Sequence, residues 1–355
     1  MIYPANFEQK IGFDRLRSQI AALCSMQAAK QLIEVESFST SRATIESRQD
    51  IADEMRVMLM LDSDAPRDEY PDMEGVLQKI GVEGTFLDCG EVVVLRQALT
   101  AVGNMVGFVM GRRPEQYPRL RGRSERVCVF PDIIRRINQI VDDEGVMRDG
   151  ASPELLMIRR SIREHEGQVS KRLQQVLSSA KKAGVVDAEA MISIRNGRAV
   201  IPVSAGNKRK LNGFIHDESA TGKTFYIEPV EVVELNNQLK ELEYAERREI
   251  VRLLTEFTEE LRPDAEPIAS AGEYLAEMDA VRAKARWAIE NGAGKPVVSL
   301  DDRLVLHEAF HPLLAQTLKR EKKELVPLDM QLNSERRILV ISGPNAGGKS
   351  VCLKT

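Results

Sequence analysis

Arg337-Ile338-Leu339-Val340-Ile341-Ser342-Gly343-Pro344-Asn345-Ala346-Gly347-Gly348-Lys349-Ser350 is the stretch from which the rest of the chain is read. Ile338 to Ser342 are aliphatic or β-favouring and lead into G-x-x-x-x-G-K-S, an order that predicts strand, phosphate loop and helix start. A triphosphate carries several charges whose desolvation has to be offset by many short donors at once. Glycines let successive backbone N–H groups point into one concavity, and the following helix offers the positive end of its dipole. Lys349 can then reach the β- and γ-oxygens, and Ser350 can take Mg²⁺. Read structurally, the same residues make a glycine-rich turn between a strand and a helix; the Lys-Ser pair behind the glycines favours the nucleotide site.

Length and composition bound what surrounds the loop. A chain of 355 residues is too long for one ordinary compact domain and predicts two or three. Charged residues make up 29% and aromatics 5%, a balance that favours long solvated helices over a sandwich or barrel. The net charge of −4 leaves no global basic field, so any nucleic-acid contact has to come from a local patch. Cys24, Cys89, Cys128 and Cys352 lie far apart without C-x-x-C spacing and read as reduced thiols of a cytoplasmic protein. Met1 to Lys10 lacks the apolar core of a signal peptide. Val92 to Met110 is the one membrane-like window, and it carries Arg96, Gln97 and Asn104. A mid-span arginine costs about 2.5–3.5 kcal/mol on insertion, so a buried core helix and no membrane partner are expected.

Upstream of the loop, Val297 to Leu300, Leu304 to Leu306 and Val326 to Leu332 predict strands, with a turn at His311-Pro312-Leu313-Leu314. Asn291-Gly292-Ala293-Gly294 separates them from a core helix over Pro267 to Asn291. Before it, Val232, Leu235, Leu239, Leu242, Ala245, Ile250, Leu253, Phe257 and Leu261 step mostly by three or four from Glu231 until Pro263. A matching helix starts at Ser152, a good N-cap, with Pro153 in the first helical position and Glu154 complementing the dipole. Leu155, Ile158, Ile162, Val169, Leu173, Val176 and Ala180 form its stripe, which runs to Ala183. Between these helices the apolar pattern alternates. Met191 to Ile194 and Ala199 to Val203 flank Arg195-Asn196-Gly197-Arg198, a hairpin signal, and Gly213 to His216 and Thr224 to Ile227 flank a second turn. Two helices of matched length separated by four short strands predict an antiparallel pair with a small β module at its tip.

Near the start, Asn6-Phe7-Glu8-Gln9 fits a capping box opening an amphipathic helix through Phe7, Ile11, Ile20 and Leu23. A second helix is expected over Arg42 to Leu61, then a loop over Asp62 to Asp72, then a helix to Met110 capped by Asp88-Cys89-Gly90-Glu91. Arg112 to Arg126 reads as an exposed connector with a solvated basic face.

Between Arg195 and Thr224 there are six basic residues, Arg195, Arg198, Lys208, Arg209, Lys210 and Lys223, against Asp217 and Glu218, a local +4 on a chain of −4. Such a cluster on turns can follow a phosphate backbone or simply keep a loop soluble. Its place at the end of a long arm, where a core gains nothing from charge, favours nucleic acid. No recognition helix, zinc finger or aromatic stacking platform accompanies it, so the expected contact is blind to sequence.

Gly343 to Ser350 resembles the G-P-N-x-G-G-K-[ST] loop of the MutS family, ATPases of the ABC class. Asp149-Gly150-Ala151-Ser152-Pro153-Glu154-Leu155, the paired helices with a β tip and His311 to Leu314 come in the order seen in that family. Gly213 to Gly222, Phe225 to Pro229 and Glu234-Leu235-Asn236-Asn237, with the Asn6 to Lys30 opening, resemble its MutS-two branch. The resemblance implies a mainly α fold: a helical core over 1–150, an outgoing coiled-coil-like lever helix over 151–183 and a β clamp over 184–230. A returning lever over 231–262, core helices over 263–294 and the start of an α/β ABC-type ATPase domain over 295–355 complete it. It implies ATP and Mg²⁺ as cofactors, with Asn345, Ala346, Gly347, Gly348 and Lys349 on the phosphates, Val351 adding a backbone amide, and Ser350 on Mg²⁺. Gly343 and Pro344 open that loop, and the adenine would lie near Leu325 or Val326, buttressed by the Phe310-His311 turn.

In this branch the resemblance implies a homodimer enclosing branched or duplex DNA, suppression of homologous recombination and a C-terminal Smr endonuclease. The alternative is a ribosome-associated ATPase that splits collided ribosomes through rRNA contacts. Because the helical core is expected almost from Met1, with no aromatic F-x-E wedge, mismatch recognition is not expected. No Walker B acid or signature helix follows before Thr355, so no catalytic residue is assigned and steady ATP hydrolysis by this chain is not expected. A small-molecule P-loop kinase would need a substrate pocket after the loop, and a chromosome-organising ATPase would carry its P-loop near the N-terminus.

Overall fold

The computed structural model describes residues 6–343 and 348–355. The described residues are mainly helical, with α1 (Phe7–Ile11), α2 (Phe13–Ala21), α3 (Gln27–Val35), α4 (Arg42–Leu61), α5 (Glu74–Gly81), α6 (Cys89–Met110), α7 (Pro118–Ser124), α8 (Pro131–Ile140) and α9 (Pro153–Lys182) in order. Then come β1 (Ser193–Arg195), β2 (Arg198–Ser204), β3 (Gly213–Glu218), β4 (Thr224–Pro229), α10 (Val230–Leu261), α11 (Ala265–Glu290), β5 (Leu304–Ala309), α12 (Pro312–Arg320), β6 (Leu328–Leu332) and α13 (Lys349–Cys352). Two compact units result: one of Met1–Gly81, Val94–Ile134 and Pro263–Thr355, the other of Val82–Val93 and Arg135–Arg262.

The first unit is organised on α11. It buries Ile268, Ala271, Leu275, Met278, Ala283 and Ala285 and is packed by α2, α3, α4 and α5. Asp279 is fully buried on α11, where its Oδ2 accepts from the N–H groups of Ser25 and Met26 at 2.7 and 2.9 Å, satisfying the free amides that open α3. Arg282 pairs with Asp279 at 3.0 Å, donates to the Asp68 carbonyl at 2.8 Å and lies 3.7 Å over the Tyr70 ring. A two-stranded antiparallel sheet, β5 with β6, also belongs to this unit.

The second unit is an antiparallel helix pair with a sheet. Ser152 caps α9 by accepting from the Leu155 N–H at 3.0 Å and donates to Glu249, far along α10, at 2.7 Å. Arg159 bridges Asp149 and Glu246, both at 2.7 Å. At 30 and 32 residues the two helices are each about 45–48 Å long. At their other end a four-stranded antiparallel sheet in the order β1-β2-β4-β3 closes a core of Val169, Leu173, Ala180, Val186, Ile201, Val203, Ile227 and Val232. Asn196 and Gly197 take φ of 51° and 70° in the turn joining β1 to β2, the pair of left-handed residues that an Asn-Gly hairpin requires.

Several expectations are corrected. Asn6 makes no side-chain cap, and the single opening helix is broken at Gly12, φ 80°, where a Cβ would meet Leu313 Cδ1 at 2.9 Å. Within Arg112 to Arg126 a helix, α7, forms that was not expected, with Leu120 and Ser124 buried, while Arg113, Arg119, Arg123 and Arg126 stay exposed and Arg119 and Arg123 pair with Asp50 and Glu277. Val297 to Leu300 forms no strand and leaves Val297 and Leu300 exposed, and His311-Pro312 opens α12 instead of making only a turn. Ile338 to Ser342 forms no strand, because among the described residues no strand lies beside it to take its N–H and C=O groups. By contrast the Asp88/Glu91 capping box forms, with reciprocal bonds of 2.8 and 2.9 Å. Among the described residues α6 is the one helix long and apolar enough to cross a membrane; its Val92, Leu95, Leu99, Val102 and Met105 are buried in the protein.

Candidate nucleotide and nucleic-acid sites

The phosphate loop is described at its two ends. Pro344, Asn345, Ala346 and Gly347 lie outside the described residues. Gly348 takes φ 79° at the head of α13, a conformation that suits glycine, and its carbonyl accepts from the N–H groups of Val351 and Cys352, both at 3.0 Å. Lys349 Nζ folds back onto the Gly343 carbonyl, and Ser350 is exposed beside it. A lysine that can reach across the loop, an exposed hydroxyl next to it and a left-handed glycine are the donor set a magnesium-bound triphosphate needs, so the residues present fit the group. Among the described residues no cluster of three or more His, Cys, Asp or Glu is arranged for a metal ion.

The proposed adenine neighbours separate. Leu325 and Phe310 line a cavity of about 800 Å³ with Leu23, Trp287, Lys319 and Arg320, whereas Val326 is 82% exposed and outside it. His311 is buried, with Nε2 3.3 Å from the Ile11 carbonyl, a structural place at the start of α12.

At the tip the six basic residues divide into two groups. Lys208, Arg209 and Lys210 stand on an exposed turn after β2, and the Ala205 N–H bonds the Lys223 carbonyl at 3.0 Å, so Lys223 leaves the sheet at the same end. None of these four has an ion pair among the described residues; Lys208 Nζ lies 4.4 Å over the Phe225 ring. Asn207 Nδ2 donates to the Val185 carbonyl at 3.1 Å and ties the turn to the end of α9. Arg195 and Arg198 sit about 20 Å away at the other end of β2. Arg195 lies 4.2 Å over Tyr226 and pairs with Asp217 at 3.3 Å.

Arg198 turns inward. It donates to Glu228 at 2.8 and 3.0 Å and to Asn237 at 2.7 Å, and Glu228 also meets His216 Nε2 at 2.5 Å and Asn236 Nδ2 at 2.6 Å. Burial pushes the Glu228 carboxyl up, but the donations from Asn236, Arg198 and His216 outweigh it and hold the group below the usual carboxylate range. A sequence reading has no signal for this network beyond the run of polar residues itself. It also missed Arg172, which lines a groove of about 460 Å³ with Lys210, Gln175, Ser179 and Asn212; the Lys171-Arg172 doublet on α9 was the available cue.

No protein-family model matches the chain. It is 34% identical over 345 residues to a protein named Endonuclease MutS2 from Geobacillus sp. (strain WCH70), and 33% identical over 347 residues to one of the same name from Pelotomaculum thermopropionicum. Another, from Bacillus velezensis, is 32% identical over 346 residues. These matches cover 97–98% of the chain and 43% of each relative, so the chain spans less than half the length of the curated relatives it matches. Over almost its whole length the chain is therefore similar to a part of the proteins named Endonuclease MutS2, and over that part it is of MutS2 type.

Proposed function

We propose that this chain supplies the nucleic-acid grip and the phosphate loop of an ATP-dependent clamp that holds duplex or branched DNA without reading its sequence. The observation that carries this reading is the group Lys208, Arg209, Lys210 and Lys223: exposed cations without a carboxylate partner among the described residues, beyond one end of the β2–β4 ladder, on a chain of net charge −4. Backbone phosphates suit such a group, because cations on turns follow charge and not base edges. In this reading α9 and α10 are levers and the sheet between them is the clamp, in a cytoplasmic homodimer that suppresses homologous recombination. The relatives' name adds an endonuclease to the whole protein. ATP supplies contacts that differ between open and closed states. Lys349 and the amides of Gly348 and Val351 hold its phosphates, and Ser350 its Mg²⁺.

The test is binding of the chain at fixed salt to a four-way DNA junction, a linear duplex and purified ribosomes. Junction or duplex binding that Lys208→Ala/Arg209→Ala/Lys210→Ala weakens about tenfold or more, equally for all sequences and with a shallower salt slope, supports the reading. Unchanged binding by that variant returns the cluster to a solubilising loop, and tight ribosome binding with no DNA preference moves the function to rRNA. At the loop, Lys349→Ala is expected to raise the Kd for a fluorescent ATP analogue about tenfold, the loss of one charge-assisted contact. An unchanged Kd in titration would remove Lys349 from the site.

A further inference from the structure

Below the sheet, one flank of α10 carries charge that the tip does not account for. At 100° per residue, Asn237, Lys240, Tyr244, Arg247, Arg248 and Val251 fall on one side of the helix. The upper end of that flank seats the β1–β2 turn: Arg198 bonds Asn237, and Gly197 lies so near Lys240 that a Cβ there would meet its Nζ at 2.7 Å. Lys240 is paired with Glu243 at 2.6 Å. Further along, Tyr244 is 58% exposed, and Arg247 and Arg248 are exposed with no carboxylate partner among the described residues.

Elsewhere on this helix pair most arginines are held in ion pairs, Arg172, which donates to Gln175 at 3.3 Å, being the exception. Arg159, Arg160, Arg163 and Arg252 each pair with Asp or Glu within 3.1 Å. Two adjacent free guanidiniums beside an exposed phenol therefore stand out from the ordinary paired surface of a solvated helix. Lys240 to Arg248 covers about 12 Å along the axis, the rise of three to four base steps. The flank is continuous with the turn that carries Arg195, so a backbone passing the tip at that turn would continue along it.

We propose that Tyr244, Arg247 and Arg248 form a second nucleic-acid contact, taking the phosphodiester backbone of a duplex that is gripped at the tip; the inference rests on the nucleic-acid reading above. The two guanidiniums take phosphate oxygens and the Tyr244 hydroxyl donates to a neighbouring one.

The experiment compares the intact chain with Arg247→Gln/Arg248→Gln, Tyr244→Phe and the Lys208–Lys210 triple alanine variant. Each is titrated with a 20-base-pair duplex by fluorescence anisotropy across a salt series. Arg247→Gln/Arg248→Gln is expected to bind about tenfold more weakly near 0.1 M salt and to reduce the log–log salt slope by roughly 1–2. Tyr244→Phe should give a smaller loss with no change in slope. An unchanged slope in the double glutamine variant, with the triple alanine variant still weakened, overturns this contact and leaves the tip reading standing. No duplex binding by the parent chain overturns both. A shift in the sedimentation coefficient of the double glutamine variant without nucleic acid also overturns it, by showing a protein contact.

Discussion

Replacing Glu228 with alanine is expected to lower the unfolding free energy of the helix pair and its sheet by about 3 kcal/mol, read from the urea midpoint at neutral pH. The carboxylate is 1% exposed and takes hydrogen bonds from three elements, Arg198 on β2, His216 on β3 and Asn236 on α10. The charge pair alone decides little, because Arg198 keeps 23% of its side chain exposed and water can reclaim part of it. The larger loss is the Asn236 amide, 3% exposed, left without its acceptor at about 1–3 kcal/mol. Glu228→Gln keeps the shape and should lose roughly half as much. The folded carboxyl is held below its ordinary value, so its contribution is complete above the unfolded carboxylate's range near pH 4 and disappears as the pH falls through the folded value. The parent chain should therefore show an acid-side loss of stability that Glu228→Gln lacks. Equal midpoints for all three proteins would mean that the network contributes nothing.

Asp279→Ala is expected to cost about 3–5 kcal/mol in the first unit, the range for removing one member of a buried pair. The substitution frees the Ser25 and Met26 amides at the start of α3 and strands Arg282, whose side chain is 11% exposed against Tyr70. Asp279→Asn retains an acceptor for the amides and should cost less, which separates the cap from the charge. The neighbouring Cys24 thiol supplies a local readout. Burial, and then the Asp279 charge, push it up to about 11, so removing the carboxylate should make it easier to ionise. Thermal melts that leave both variants at the parent's midpoint would overturn the assignment of Asp279 as the anchor of α3.

What could be read from the sequence follows from how local each signal is. Ser152-Pro153-Glu154 and Asn196-Gly197 act within one turn, and the structure places a helix start and a hairpin at those residues. Arg42 to Leu61 is a helix over the expected residues for the same reason. Arg112 to Arg126 has the expected exposed arginines but gives no sign of α7, because the support for that helix comes from Asp50, Glu54 and Glu277, distant in sequence. Ile338 to Ser342 has strand composition, but a strand is also its neighbours, and none lies beside it among the described residues. At the tip, composition gave six equivalent cations, and only geometry separates Arg198, a counter-ion for a buried carboxylate, from the free Lys208, Arg209 and Lys210. The burial of Glu228 and Asp279 has no local signal, since burial leaves no mark on a single residue.

The bond from Asp279 to the Ser25 and Met26 amides closes a loop of more than 250 residues, which sets an order of events during synthesis. The helices α2 to α5 emerge first but have no α11 to pack on until about 180 to 250 further residues are made, roughly 9–50 s at ordinary elongation rates. The helix pair with its sheet is contiguous by comparison and can fold while they wait. The nascent chain thus holds its N-terminal helices unsatisfied until α11 has emerged, and that interval is when chaperone capture or degradation would act on it.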